Sequence, residues 1–239
     1  MLLVLRIGAM LAWLLACLPM HLGSRLLGRP SPWPRRFMRG VCRIVGLRVT
    51  IAGVIRPGPV LYLANHLSWL DIILLGGYAG ARFVAKIEIA RWPLIGYLAR
   101  QNNTIFVARE ARGEVRAQSA IVAQALTEPQ PVAIFPEGTV GEGFAVMPFR
   151  ASLLAAVGPE TVVQPIAIDY GALLPVVRWP KSEPTPHNAM RLIGRRGTIP
   201  VTLRALPPVV MRERKAIAAA AQAAIADALD ASGTIPLAV

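Results

Sequence analysis

The stretch Val60-Leu61-Tyr62-Leu63-Ala64-Asn65-His66-Leu67-Ser68-Trp69-Leu70-Asp71 decides how the rest of the chain is read. Its first four residues are a continuous apolar run, preceded by the Gly and Pro turn signals of Gly53 to Pro59, the mark of a buried strand. A helix from about Ser68 to Tyr78, closed by Gly76-Gly77, is expected to follow. Between the two, an imidazole and a carboxylate stand five positions apart. Five helical steps turn through about 500°, leaving two side chains roughly 140° apart. His66 and Asp71 therefore meet only if His66 lies on the loop entering the helix and Asp71 in its first turn.

On these residues alone two readings stay open. Ser68 and Asp71 fit the S/T-x-x-acid pattern of a helix N-terminus, where the acid bonds back to the cap. Alternatively the pair moves protons: the chain has only His21, His66 and His187, so few places exchange a proton near neutral pH.

Downstream, apolar runs alternate with helical patterns. Strands are expected at Arg82–Ala85, Thr104–Val107, Val132–Phe135, Val162–Ile168 and Ile199–Leu206, after an earlier one at Leu47–Ile51. Helices are expected at Pro93–Arg100, Arg112–Thr127, Ser152–Val157, Asn188–Ile193 and Arg212–Leu229, with an irregular Pro-rich segment over Pro175–Pro186. The alternation predicts an α/β fold, a mixed, mostly parallel sheet flanked by helices on both faces. In such sheets the chemistry collects outside strand ends. Three of these ends carry polar residues: Asn65-His66, Arg109 and Glu137-Gly138-Thr139.

Upstream, residues 2–20 are apolar apart from Arg6, and Pro19 marks their expected end. That is the short limit of the ~17–25 residues needed to span a bilayer. A short or tilted membrane helix and a helix lying in the interface both fit; a cleaved signal fits poorly, lacking an A-x-A-like site. From Trp33 to Leu47, Arg35, Arg36, Arg39 and Arg43 share one side while Trp33, Phe37, Val41, Ile44 and Val45 share the other. This is a basic amphipathic helix: an ordinary surface helix packed on the core is one reading, but directly after an apolar leader it fits an anionic membrane surface better, and its arginines place it on the cytoplasmic side. Residues 1–46 are thus expected to be a membrane-attached leader and 47–239 a single α/β domain.

Lysine plus arginine number 26 against 13 acids, a net charge of +13, which favours anionic partners. Trp and Tyr are not interleaved with the basic runs as stacking platforms require, so nucleic acid is not expected. Cys17 and Cys42 have neither disulfide-framework nor zinc spacing, and no metal is expected. The chain also lacks G-x-S-x-G, H-E-x-x-H, P-loop and dinucleotide glycine patterns. What remains is a histidine with a carboxylate to orient it, suited to a general base acting on a substrate's own hydroxyl. Arg109 suits bidentate phosphate binding, and backbone N–H groups around Gly138 suit a phosphate or an oxyanion. A hydrolase with Ser68 as nucleophile and a non-enzymatic anionic-membrane binder are the alternatives.

Asn65-His66-Leu67-Ser68-Trp69-Leu70-Asp71 and Phe135-Pro136-Glu137-Gly138-Thr139 resemble the two signature blocks of the lysophosphatidic acid and glycerolipid acyltransferase family. Thr104-Ile105-Phe106-Val107-Ala108-Arg109 and Val163-Gln164-Pro165-Ile166-Ala167-Ile168 agree in order, so the resemblance covers about residues 45–210. It implies transfer of a fatty acyl group from acyl-CoA or acyl carrier protein to the free hydroxyl of a lysolipid at the cytoplasmic face of the cell membrane. The first expected acceptor is 1-acyl-sn-glycerol-3-phosphate, giving phosphatidic acid. By position, His66 is the base and Asp71 its partner; Arg109, Glu137, Gly138 and Thr139 shape the acceptor site, and Lys86 assists thioester or oxyanion binding. No cofactor is implied beyond the acyl thioester. Ala108 stands where that family often has an acid. Val140-Gly141-Glu142-Gly143 lacks its usual arginine or serine run and is as similar to the branch acting on lyso-ornithine lipids.

Overall fold

The computed structural model describes residues 1–108, 115–180 and 182–233. Its strands are β1 (Leu47–Ala52), β2 (Val60–Ala64), β3 (Arg82–Lys86), β4 (Ile105–Val107), β5 (Val132–Ile134), β6 (Val162–Asp169) and β7 (Ile199–Ala205). Among the described residues they form one sheet in the order β1-β7-β6-β2-β5-β3-β4. Every neighbouring pair is parallel except β6 with β7. The expected mixed, mostly parallel sheet is present. The central strand β2 is buried along its whole length, which is why Val60-Leu61-Tyr62-Leu63-Ala64 reads as an unbroken apolar run.

The helices are α1 (Leu2–Leu26), α2 (Trp33–Val45), α3 (Leu70–Leu74), α4 (Pro93–Gln101), α5 (Val115–Ala125), α6 (Leu174–Val177), α7 (Thr185–Gly194) and α8 (Arg214–Asp230). They cover both faces. On one, Val41, Cys42 and Val45 of α2, Leu70 and Leu74 of α3 and Leu192 of α7 pack over Tyr62, Ala133 and Ile166. On the other, Val122 and Ala125 of α5 and Ile217, Ala221 and Ile225 of α8 pack over Leu61, Leu63 and Ile134. Alternate residues of β2 thus serve opposite layers, as the period of a strand requires.

Several local expectations are corrected. Pro19 does not end the leader: α1 runs on to Leu26 with Pro19 on its exposed side, where the lost N–H leaves only an outward carbonyl unbonded. Gly76-Gly77 does not close the helix after Ser68 either. α3 passes into a single π turn, Leu75–Ala79, and Gly80 at φ +71° ends it. The glycine pair instead admits α2, for a Cβ on Gly76 would meet the Met38 sulfur and one on Gly77 the backbone of Arg39. The helix expected at Ser152–Val157 is instead a 3-10 turn over Ala151–Leu154, and the Pro-rich 175–186 region contains most of α6 and the start of α7.

The helix α1 is long and apolar enough by length and composition to cross a membrane. It nevertheless lies along the body of the protein. Arg6 donates to Ile193 O and Arg195 O, Trp13 Nε1 donates to Phe37 O, and His21 bonds Ser31 and Gln101. These contacts recur on one stripe, while Val4, Leu11, Leu15 and Leu22 are exposed on the other sides. In α2, two of the four arginines bond the protein at its surface: Arg35 and Arg39 donate to Gly77 O, and Arg35 also to Tyr78 O, closing the end of the π turn.

Candidate active site

The parallel strands β2, β5 and β3 deliver His66, Glu137 and Lys86 beyond their carboxyl ends, and β6 ends on the same side with Asp169 and Tyr170. His66 lies on the loop between β2 and α3, and Asp71 is the second residue of α3. Its carboxylate therefore turns back to the loop, and His66 Nδ1 stands 2.9 Å from Asp71 Oδ2. The same oxygen accepts the N–H groups of Leu67 at 2.6 Å and Ser68 at 2.8 Å. Capping and orientation of the imidazole are thus one arrangement: the acid that satisfies the start of the helix also faces the histidine.

Asp71 is fully buried, while His66 keeps 15% of its side chain exposed. With its Nδ1 facing a carboxylate, the imidazole carries its proton there and leaves Nε2 as the basic atom. Phe135 stacks on the imidazole, ring centroids 4.0 Å apart, and Phe83 stacks behind Phe135 at 6.1 Å. Phe83 also lines an apolar groove of about 170 Å³ between α1, α2 and α4, walled by Leu14, Leu18, Phe37, Ile73 and Leu98.

Glu137 is buried, with its carboxylate turned toward the protein. Oε1 accepts the backbone N–H of His66 at 2.8 Å, and the N–H of Met147 also bonds the group. Burial pushes its acid up to about 7, against those two N–H groups, which favour the charged form. The return connection comes from Gly141, whose N–H donates to His66 O at 2.6 Å. A Cβ on Gly141 would stand 3.0 Å from Glu137 Oε2, so a side chain there would press on that carboxylate.

Gly138 takes φ +75° and its N–H donates to Phe135 O, so this amide is used inside the turn. The N–H groups of Thr139 and Val140 have no partner among the described residues, and Thr139 is exposed. Lys86 is exposed at the end of β3, and Arg109 lies outside the described residues. Arg150, which sequence reasoning passed over, brings its guanidinium to 3.3 Å from where a Gly138 Cβ would be. Two buried residues were also missed as partners. Asn65 forms a two-point amide pair with the backbone of Ile168, and Tyr170 donates its hydroxyl to Asp71 Oδ1.

His66 thus presents a partly exposed imidazole oriented by a buried carboxylate, an arrangement able to take a proton from a hydroxyl. A family model described as Acyltransferase matches residues 46–169. A lyso-ornithine lipid O-acyltransferase of Rhodobacter capsulatus is 36% identical over 246 residues, covering 93% of this chain and 88% of the relative. A 1-acyl-sn-glycerol-3-phosphate acyltransferase of Neisseria gonorrhoeae is 33% identical over 127 residues, covering 53% of this chain and 50% of the relative. The crystal structure of PlsC, the 1-acyl-sn-glycerophosphate acyltransferase of Thermotoga maritima, superposes with a TM-score of 0.64 at 21% identity, over 86% of this chain and 80% of that one. At that identity the likeness is one of fold.

Proposed function

The chain belongs to the acyltransferase family, and on that premise we propose that it moves a fatty acyl group from an acyl thioester to the free hydroxyl of a lysolipid. The observation that carries this reading is the His66–Asp71 pair at 2.9 Å, with the Phe135 and Phe83 rings stacked between His66 and an apolar groove. His66 Nε2 takes the proton of the acceptor hydroxyl as that oxygen attacks the thioester carbonyl. Asp71 stabilises the imidazolium that results. Collapse of the tetrahedral intermediate expels the thiolate, which recovers the proton from His66, so an ester and a free thiol leave the site. Acyl-CoA and acyl carrier protein are both suitable donors, and the groove suits a fatty chain.

For the acceptor, we place lyso-ornithine lipid ahead of 1-acyl-sn-glycerol-3-phosphate, exchanging the order expected from sequence. The support is that a relative with that name aligns over most of both chains, and that uncharged Val140 and Gly141 follow Thr139. The phosphate acceptor stays as the second reading, supported by the Neisseria relative. There Arg109 and Thr139 would face the phosphate and glycerol, with Glu137 and Gly138 shaping that turn from within and Lys86 near the thioester oxygen.

Of residues 1–46, expected as a membrane-attached leader, α1 serves that role here, while α2, whose apolar face packs on the sheet, joins residues 47–239 in the acyltransferase domain, working at the cytoplasmic face of the cell membrane on an anionic lipid surface. The one-sided contacts of α1 support a helix lying in the interface rather than crossing it. The test is a panel of lysolipids offered with one acyl-CoA and one acyl carrier protein, read by lipid mass spectrometry. His66→Ala should lower transfer by about 10²–10⁴; near-wild-type transfer by that variant would sink the mechanism.

A further inference from the structure

The loop that carries the base is fastened at both ends to one strand. At its start, Asn65 Nδ2 donates to Ile168 O at 3.0 Å and Asn65 Oδ1 accepts Ile168 N–H at 2.8 Å. The pairing of β2 with β6, whose last register pair is Ala64 with Ile166, is thus continued by a side chain. At its other end, Tyr170 Oη donates to Asp71 Oδ1 at 2.7 Å, from the residue just past β6. The two carboxylate oxygens have different partners: Oδ2 takes His66 and two loop N–H groups, whereas Oδ1 is held by Tyr170.

We propose that Tyr170 is a positioning residue for the His66 base, acting through Asp71, and that it sets both the aim of the carboxylate and how much of its charge reaches the imidazole. The proposal rests on the acyl-transfer reading of His66 for its kinetic part only. Tyr170 is 1% exposed and its ring belongs to the core that holds Leu70 and Leu74, so packing fixes its direction. Burial, then the neighbouring Asp71, push its phenol well above the ordinary tyrosine range, so the hydroxyl stays a donor. A donor on Oδ1 prevents the carboxylate from rotating Oδ2 away from His66, and it draws off part of the negative charge that would otherwise favour the imidazolium. The other titratable groups facing this carboxylate are His66 itself, Glu137 from the turn after β5, and Tyr170 with Cys42 of α2 behind it.

The test compares Tyr170→Phe with Tyr62→Phe. Tyr62 is a second fully buried tyrosine, and its hydroxyl bonds Arg56 O instead of Asp71. In Tyr170→Phe, kcat should fall roughly 10-fold, a fraction of what a general base supplies, with KM within about twofold. The acid limb of the kcat/KM profile should move to higher pH by about half a unit or more. The His66 imidazole resonances, followed by NMR, should titrate with the same displacement. Tyr62→Phe should lower stability and leave both midpoints where they were. Unmoved midpoints in Tyr170→Phe, or the same displacement in Tyr62→Phe, would overturn the proposal. If the wild-type protein acylates no lysolipid, the acyl-transfer reading falls, while the His66 titration still decides the role of Tyr170.

Discussion

The backbone N–H of His66 donates to Glu137 Oε1 at 2.8 Å, across 71 positions of sequence. The glutamate of the Pro-Glu-Gly-Thr turn therefore holds the main chain of the residue proposed as the base. Glu137→Ala removes that acceptor and should cost about 1–3 kcal/mol of stability, with a loss of turnover that exceeds any change in KM. Glu137→Gln keeps an acceptor oxygen and should retain most of the rate. Unfolding midpoints and steady-state kinetics on the two variants check this; equal activity of Glu137→Ala and wild type would remove the glutamate from the site.

The same carboxyl makes stability depend on pH. Its acid sits at about 7 in the folded protein against an ordinary 4.5, so between these values the folded chain keeps a proton that the unfolded chain releases. This group's contribution is complete below 4.5 and lost as pH rises through about 7, on the order of 3 kcal/mol in total. Denaturation of wild type and Glu137→Gln on either side of that window should show the difference between them changing by about this amount, wild type being favoured at the acid end.

Asp71→Asn keeps the shape of the carboxylate and removes its charge. The amide nitrogen cannot accept from the backbone N–H groups of Leu67 and Ser68 or from the Tyr170 hydroxyl, so at least one donor loses its acceptor. Turnover should drop by about 10² or more, because the imidazolium loses its counter-charge. A rate within a few-fold of wild type would return Asp71 to helix capping alone.

On α1, Leu11 and Leu15 are 50% and 72% exposed and face away from the protein. Replacing both by Glu should release the protein from anionic vesicles while leaving its unfolding transition in place, since no core contact is lost. A flotation assay reads the first effect and circular dichroism the second.

Gly138→Ala meets a backbone at φ +75° and a guanidinium 3.3 Å from the new methyl group. The left-handed conformation alone should cost roughly 1–2 kcal/mol. Thermal unfolding of the variant measures it.

Local signals announced much of this architecture. The strand, loop and helix start around His66 are legible because an apolar run, a polar break and an S-x-x-D pattern each act over a few residues. Glycines and prolines were harder, since each has two physical uses. Gly76 and Gly77 look like a stop but are a place of close helix approach, and Pro19 looks like an end but lies where a missing N–H harms little. The carbonyl-bonding roles of Arg35 and Arg39 on α2 could not be read from periodicity, because their partner lies in the π turn some forty positions away. Tyr170 and the Asn65 amide pair have partners 99 and 103 positions distant, and no periodic pattern carries that information.

Among the described residues, four hydrogen-bond partners surround the Asp71 carboxylate: His66, Leu67 and Ser68 on one side of the sequence, and Tyr170 far along it. During synthesis the first three donors leave the ribosome almost together with their acceptor, and the fourth nearly a hundred residues later. A nascent chain halted before β6 would carry the entire signature heptad and an unfinished base. The carboxylate therefore gains its last donor only when the residue after β6 has been made, so the heptad by itself does not complete the site.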